Sequence, residues 1–258
     1  MDDFRKVFDQ NVAPEDFDKW RTRYCGECFA DVIAYSRLGP GSSALEIGPG
    51  TGQATEPILK TGCSYLAIEL GENFTSAMKE RFGRYANFDI VNDDFETHDF
   101  GQTKFDLVYS AATIQWIPEE IGFPKVYSML KPGGTFAMMA TATDFKSANE
   151  DLYAKIQESY DKYFHPGPGW KWYQDRNNVE YTNVTKYGFS DFEKHEYYDT
   201  RVYNADEFLQ WTMIQAPHLT LQEPDRSNFV EGVRDAIMSC GGQITLRDTV
   251  LLFLARKP

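Results

Sequence analysis

The stretch Leu45–Gln53 constrains the fold more than any other part of the chain. It starts with an apolar run that predicts a buried strand. Gly48, Gly50 and Gly52 follow at alternate positions, which predicts a tight turn because glycine adopts positive φ and lets a ligand approach the backbone. Residues 53–61 then predict a helix, whose first N–H groups and positive dipole end suit a nucleotide or an amino-acid carboxylate.

A second apolar run, from Tyr65 to Ile68, ends in Glu69, seventeen residues beyond Gly52. An acidic residue at the tip of a second strand can accept hydrogen bonds from both hydroxyls of a ribose. A dinucleotide fingerprint, G-x-G-x-x-G/A, is the competing interpretation, but it needs a small residue at the position of Gln53. The glycines here have the spacing G-x-G-x-G instead.

The turn and its acidic partner together resemble class I S-adenosylmethionine (SAM) dependent methyltransferases. The resemblance implies that SAM is the cofactor and that S-adenosylhomocysteine (SAH) is its product. It also implies a group of cofactor-binding residues around the first two strands: Glu46, Gly48, Pro49, Gly50, Gly52, Glu69 and Leu70.

The ends of the third and fourth predicted strands strengthen the resemblance. In the family an acidic residue after the third strand meets the adenine, which implies this role for Asp94 with Phe95, or for Asp93 if the register is shifted by one. After the fourth strand, Ser110 and Ala111 would pass beside the cofactor.

The loop after the fourth strand is similar to that of the trans-aconitate methyltransferase-like group. This similarity implies that Gln115 and Trp116 lie near the methyl acceptor. The segment 130–134 matches the family's turn into the fifth strand. The N-terminal segment 17–24 matches as well, apart from two replaced prolines, which implies that Tyr24 lies near the cofactor.

The remaining periodicity predicts a doubly wound α/β fold with a mostly parallel seven-stranded sheet and an antiparallel last strand. We expect a single methyltransferase domain over residues 1–258. Within it, residues 1–40 are expected to form an N-terminal helical cap, and residues 142–192 an insertion or lid over the acceptor site.

Two tryptophans, Trp170 and Trp172, follow a Pro/Gly-rich stretch inside this insertion. Glycines there are unfavourable in helix and strand alike, so the segment 165–173 is expected to be an irregular loop. It either closes as a lid over the acceptor, with both tryptophans in contact with the substrate, or packs onto the body of the protein.

Composition excludes several classes of function. A net charge of −13 disfavours a nucleic-acid substrate. No apolar run is long enough to span a bilayer and the N-terminus is unlike a signal peptide, so a soluble cytoplasmic protein is expected. Cys25 and Cys28 have no second pair at zinc-site spacing, which favours idle thiols and no metal site.

The predicted activity is transfer of a methyl group from SAM to a small-molecule acceptor, for which the acceptor loop suggests a carboxylate. The alternative is a non-catalytic SAM-binding regulator or partner subunit. The sulfonium supplies the reactivity, so a carboxylate acceptor needs no general base. A hydroxyl or amine acceptor would benefit from one, and His218 is the single histidine nominated, against the simpler interpretation of a packed side chain. The sequence leaves the oligomeric state open.

Overall fold

The computed structural model describes residues 3–258, which include one seven-stranded sheet with the strand order β3-β2-β1-β4-β5-β7-β6. The strands are β1 (Ser43–Ile47), β2 (Ser64–Glu69), β3 (Phe88–Asn92), β4 (Phe105–Ala111), β5 (Leu130–Asp144), β6 (Ser190–Asn204) and β7 (Gln243–Arg256). The first five strands pair in parallel.

The last strand, β7, runs antiparallel to its neighbour β5. The backbone N–H of Gly133 donates to the carbonyl of Lys257, and the N–H of Lys257 donates to the carbonyl of Gly134. Further along β5, the Thr143 hydroxyl donates to Asp248. The partner numbers on β7 fall as those on β5 rise, as expected of an antiparallel pair. The predicted fold class is therefore confirmed.

The α-helices connect and cover these strands. They are α1 (Val7–Asn11), α2 (Pro14–Trp20), α3 (Gly26–Ser36), α4 (Thr55–Leu59), α5 (Glu72–Phe82), α6 (Glu119–Met129), α7 (Glu150–Tyr163), α8 (Pro168–Arg176), α9 (Ala205–Met213), α10 (Ala216–Leu219) and α11 (Asp225–Ser239). None of the helices in the described residues is long and apolar enough to cross a membrane.

Both faces of the central strands are buried, which explains why they read as continuous apolar runs rather than as alternating ones. On β1, Ala44 belongs to one apolar cluster and Leu45 to the cluster on the opposite face. On β4, Leu107 and Val108 divide in the same way. All four side chains are fully buried, and burial of each of Leu45, Leu107 and Val108 stabilises the fold by about 1.5–3 kcal/mol.

The contacts divide the chain into two compact units. The sheet unit consists of residues 23–140, 176–197 and 250–258, and the helical unit of residues 3–22, 141–175 and 198–249. The helical unit has its own apolar cluster, to which Ile156 of α7 and Phe229 of α11 belong. The expectation of a single domain over 1–258 stays a prediction, and the unit boundaries differ from the predicted cap and insertion.

Three predicted elements differ from the structure. The N-terminal region is interrupted by extended residues on either side of α2, so it is not helical throughout. The helix after the glycine turn is shorter than predicted, since residues 51–54 are still part of the turn. The expected irregular loop at 165–173 contains most of α8, because the stretch from Pro168 onward forms a helix despite Gly169.

Candidate cofactor and acceptor site

The glycine turn after β1 has the conformation that its sequence predicts. Gly48, Gly50 and Gly52 have φ values of +63°, +58° and +90°. A Cβ atom on Gly48 would overlap the side chain of Thr113, and one on Gly52 would overlap the ring of Phe82. The turn therefore needs glycine both for its backbone angles and for its packing.

Glu69, the last residue of β2, accepts hydrogen bonds from the glycine turn after β1 and from the residues that follow β2. Its Oε2 atom accepts a hydrogen bond from the N–H of Gly50 (3.0 Å), and its Oε1 atom accepts one from the N–H of Gly71 (2.8 Å). The side chain is 7% exposed. A carboxylate accepts up to about four hydrogen bonds, so a ribose would share it with these two amides.

Glu46 has a different environment from Glu69, although both lie near the ends of neighbouring strands. Its Oε2 atom accepts hydrogen bonds from the hydroxyls of Thr55 (2.6 Å) and Tyr65. Its Oε1 atom is buried without a hydrogen-bond partner in the described structure. Burial raises the pKa of the Glu46 carboxyl. These bonds tie the end of β1 to α4, and a direct contact with the cofactor stays a prediction.

The loop after β3 contains the residues expected to meet the adenine. Phe95 is buried and Asp94 is half-buried, with its Oδ1 atom accepting the N–H of Glu96 (2.9 Å). Asp93, the alternative candidate, faces outward and pairs with His98 (2.7 Å). The adenine-binding role, for Asp94 or for Asp93, stays a prediction.

Lys125 of α6 forms hydrogen bonds with the backbone of the loop after β3. Its Nζ atom donates to the carbonyls of His98 (2.6 Å) and Glu96 (3.3 Å) and lies 5.2 Å from the centre of the Phe95 ring. Burial lowers the pKa of Lys125, while nearby carboxylates such as Asp94 oppose that change. Lys125 therefore holds the backbone of this loop beside the Phe95 ring.

The loop after β4 carries the expected acceptor residues. Ser110 is fully buried and donates to the carbonyl of Ile47 (3.3 Å), while Ala111 is half-buried. Ala112 has a φ of +56°, an unfavourable angle for a residue with a Cβ atom. Gln115 and Trp116 then form a 3₁₀ turn and are both half-buried.

The segment Arg176–Tyr187 contacts this loop; it belongs to the predicted insertion 142–192, but sequence reasoning singled out none of its residues. We call it the anchor segment. Arg176 pairs with Glu96, and the Tyr181 hydroxyl donates to Oε1 of Gln115 at 3.5 Å. These two contacts join residues 80 and 66 positions apart, so no short stretch of sequence contains both partners of either contact.

Glu119, the first residue of α6, binds the anchor segment through several bonds. Its carboxylate accepts from the N–H of Glu180 (3.1 Å), the amide of Asn183 (3.0 and 3.1 Å) and the hydroxyl of Tyr187 (3.4 Å). Its own N–H donates to Oδ1 of Asn178 (3.1 Å). One carboxylate therefore holds three donors of the segment.

The other predicted cofactor residues also lie in the sheet unit. Pro49 is buried within the turn, and Leu70 is half-buried after β2. Tyr24 is half-buried and packs edge-on against Phe29, with 6.2 Å between ring centres. The roles assigned to these residues stay predictions.

Trp170, Trp172 and His218 belong to the helical unit. Trp170 stacks on Tyr173 (5.0 Å), whereas Trp172 is 39% exposed. His218 lies among aromatic rings, and its Nε2 atom is 3.0 Å from the Tyr160 hydroxyl. Burial lowers the pKa of His218 to about 3. The environment is that of a packed neutral histidine. These positions test neither the general-base prediction for His218 nor the lid prediction for Trp170 and Trp172.

The four cysteines are free, and burial raises the pKa of the Cys28 thiol to about 12. Such a thiol is a poor nucleophile at neutral pH. Within residues 3–258, the acidic, histidine and cysteine side chains form no cluster of three or more that could hold a metal ion.

Comparison with known proteins connects this geometry to chemistry. Residues 45–138, which run from the glycine turn through most of β5, match the family described as a methyltransferase domain. The match supports the assignment of residues 45–138 to a class I SAM-dependent methyltransferase domain. The prediction of SAM as cofactor is confirmed with it, whereas similarity to the trans-aconitate group is not.

Relatives of this methyltransferase domain act on different acceptors. Malonyl-[acyl-carrier protein] O-methyltransferase 2 of Ilyobacter polytropus is 32% identical over 118 residues, which are 45% of this chain and 42% of the relative. Ribosomal RNA small subunit methyltransferase A of Bacillus cytotoxicus is 26% identical over 103 residues, covering 39% and 35% of the two chains. The chain thus spans less than half the length of these relatives.

A solved structure shows how far the fold extends beyond the matched residues. Phosphoethanolamine N-methyltransferase 2 of Haemonchus contortus, in complex with phosphomonomethylethanolamine and SAH, aligns with a TM-score of 0.57. The alignment covers 99% of this chain and 60% of that one at 17% identity. The likeness supports the fold, while the acceptor has to be inferred from this chain's own residues.

Proposed function

We propose that the chain transfers a methyl group from SAM to a small molecule that carries a carboxylate. One observation carries the proposal. The sheet unit brings the glycine turn, Glu69, Asp94 and Gln115 to the carboxyl ends of four adjacent parallel strands. Ligands of doubly wound folds bind at this edge, outside the strand ends.

The residues at this edge fit the cofactor by their chemistry. The turn would receive the amino-acid part of SAM, Glu69 would accept from the ribose hydroxyls, and Asp94 with Phe95 would bind the adenine. The positively charged sulfonium activates the methyl group, so the protein needs to align the acceptor and exclude water.

A small acceptor is favoured over a nucleic acid by charge. The chain has 39 acidic and 26 basic residues, and a field of this sign repels a phosphate backbone. A carboxylate is favoured by the O-methyltransferase relative and by the nature of the acceptor loop, in which Gln115 can donate a hydrogen bond. A carboxylate oxygen is already nucleophilic at neutral pH, so no general base is required.

The cofactor assignment is tested by calorimetry of SAH binding. Glu69→Ala should weaken binding by about 1–3 kcal/mol, because a charge-assisted hydrogen-bond partner of the ribose is lost. Glu80→Ala, a change of an exposed acidic residue in α5, is the matched control and should leave affinity unchanged. Equal affinities of the two variants would contradict the assignment.

The activity is tested by incubating the protein with methyl-labelled SAM and a cell extract separated by size. Label in the small-molecule fraction, lost on mild alkaline hydrolysis as expected of a methyl ester, supports the proposal. Label in RNA or protein alone would contradict it. Tight SAH binding without any transfer would identify a non-catalytic SAM-binding protein instead.

A further inference from the structure

The side-chain amide of Gln115 has a hydrogen-bond partner at each end, at 3.0 Å from its nitrogen and at a longer 3.5 Å from its oxygen. Its Nε2 atom donates to the carbonyl of Ala112 (3.0 Å), and its Oε1 atom accepts from the hydroxyl of Tyr181. These partners define which end of the amide is oxygen and which is nitrogen, since a carbonyl must face a donor. The amide nitrogen carries two N–H bonds, and the second meets no acceptor among residues 3–258.

Tyr181 is itself held in place by two independent contacts. Its ring stacks on Phe253 with 4.5 Å between centres and an angle of 2° between planes. It also belongs to the anchor segment, which Glu119 binds on both sides of it in sequence, at Glu180 and Asn183. The hydroxyl is therefore presented to Gln115 by a segment with little freedom to move away.

We propose that Gln115 orients the methyl acceptor by donating its second N–H to a carboxylate oxygen, with Tyr181 and Glu119 as positioning residues. Tyr181 holds the amide in the donating orientation, and Glu119 holds Tyr181 against the loop. The inference rests on the proposed function, because it needs an acceptor beside the cofactor.

A neutral amide suits this role in an acidic protein. One N–H of fixed direction selects the position of a carboxylate oxygen without neutralising its negative charge, and a charge-assisted hydrogen bond is short and directional. The second carboxylate oxygen would then remain available as the nucleophile. Rotation of the amide by half a turn would present an oxygen to the acceptor, which would repel it.

The experiment uses ¹⁵N-labelled protein saturated with SAH and follows the side-chain N–H signals by NMR. The Gln115 signal is identified by its loss in Gln115→Leu. The probes are acetate, malonate, citrate and benzoate, with ethanol, 1,3-propanediol and benzyl alcohol as uncharged counterparts. We expect at least one acid, and none of the alcohols, to shift the Gln115 signal in a saturable way.

The variants separate positioning from general stability. Tyr181→Phe keeps the ring and removes the hydroxyl, and should weaken acid binding at least fivefold. Glu119→Gln should weaken acid binding two- to fivefold. A glutamine has one accepting oxygen where the glutamate has two, so its NH₂ group would face a donor of the anchor segment such as the Glu180 N–H. Tyr127→Phe and Glu80→Gln, the latter at an exposed residue of α5, are the matched controls and should bind the acid like the unaltered protein.

The outcomes for the inference and for the proposed function are distinguishable. Unchanged SAH affinity with weaker acid binding in Tyr181→Phe and Glu119→Gln supports the positioning role. The inference is overturned if no acid shifts the signal, or if both variants bind the acid as the controls do. Failure of the unaltered protein to bind SAH would instead overturn the cofactor assignment.

Discussion

The glycine turn in the sheet unit and α8 in the helical unit both place a glycine against an aromatic ring, yet they are fixed differently. Gly52 packs on Phe82, 30 residues away in sequence, and its backbone has a φ of +90°. Gly169 packs on Phe4, 165 residues away, within an ordinary helix. The first glycine is required by backbone and packing together, and the second by packing alone.

The backbone conformation of the glycine turn is determined by a short stretch of sequence. The need for a small residue at position 169 comes from a residue far away in sequence. A turn that only glycine can form is visible in a short stretch of sequence. A glycine that merely leaves room for a ring looks the same as a helix breaker until its partner is known. The following predictions test the distinction, from the largest effect to the smallest.

Replacement of Gly52 should produce the largest loss of stability. Gly52→Ala combines a positive φ with overlap against Phe82 and Met78, so we expect the free energy of unfolding to fall by about 2–4 kcal/mol in urea denaturation. Gly41→Ala is the control, since Gly41 has a φ of +89° but open space around it, and should cost about 1–2 kcal/mol. Equal losses would show that packing plays no part.

His218 tests whether the interior of the helical unit excludes charge, because its ring is buried among aromatic side chains. With the pKa of His218 lowered to about 3, the unfolded state binds a proton below about pH 6.5 and the folded state does not. The free energy of unfolding should therefore fall by about 1.4 kcal/mol per pH unit below pH 6.5, or about 2–3 kcal/mol by pH 4.5.

The measurement compares stability against pH in the unaltered protein, His218→Gln and His165→Gln. The His218 variant should lose this part of the slope, whatever its stability at neutral pH. His165 is largely exposed, so its replacement should leave the slope in place. A slope that survives in His218→Gln would mean that other groups cause it.

Gly169→Ala should have a smaller effect than Gly52→Ala. Alanine favours the helix by about 1 kcal/mol, while its Cβ would lie 3.0 Å from Cγ of Phe4 and closer still to the ring edge. We expect a net loss of about 1 kcal/mol, because overpacking costs about 1–3 kcal/mol. Gly26→Ala, in open space at the start of α3, should be neutral or slightly stabilising.

Trp172→Ala should have the smallest effect on stability, about 0.5 kcal/mol or less in thermal or urea unfolding, because the side chain is partly exposed on a helix. If Trp172 closes over the acceptor as the lid hypothesis requires, methyl transfer should still fall. Unchanged turnover of the identified acceptor in this variant would leave simple packing of α8 as the better explanation.

Much of the fold could be predicted from sequence because its signals are local. The strands that flank the glycine turn are short apolar runs bounded by turn residues, and their positions agree with the structure to within a few residues. Glu69 could be predicted because it follows a recognisable strand. By contrast, the reason for a glycine at position 169 lies in its packing against Phe4, and no short stretch contains both residues.

The acceptor side was harder to predict for the same reason. Gln115 was identified through family resemblance, whereas Tyr181 and Glu119 lie in segments with no motif of their own. Their association depends on hydrogen bonds between residues far apart in sequence. Side chains that recognise each other in this way leave no periodic pattern, so sequence reasoning has nothing to detect.

The attachment of the anchor segment has an evolutionary consequence. Glu119 holds the polar residues of the segment through hydrogen bonds, whereas Val184 is buried in the same apolar cluster as Leu45 and Val108 of the central strands. The exposed polar residues of the segment can therefore be exchanged while Val184 keeps its place in the core. The glycine turn has no such freedom. A lineage carrying this arrangement could acquire new acceptors by altering the anchor segment while inheriting its cofactor chemistry intact.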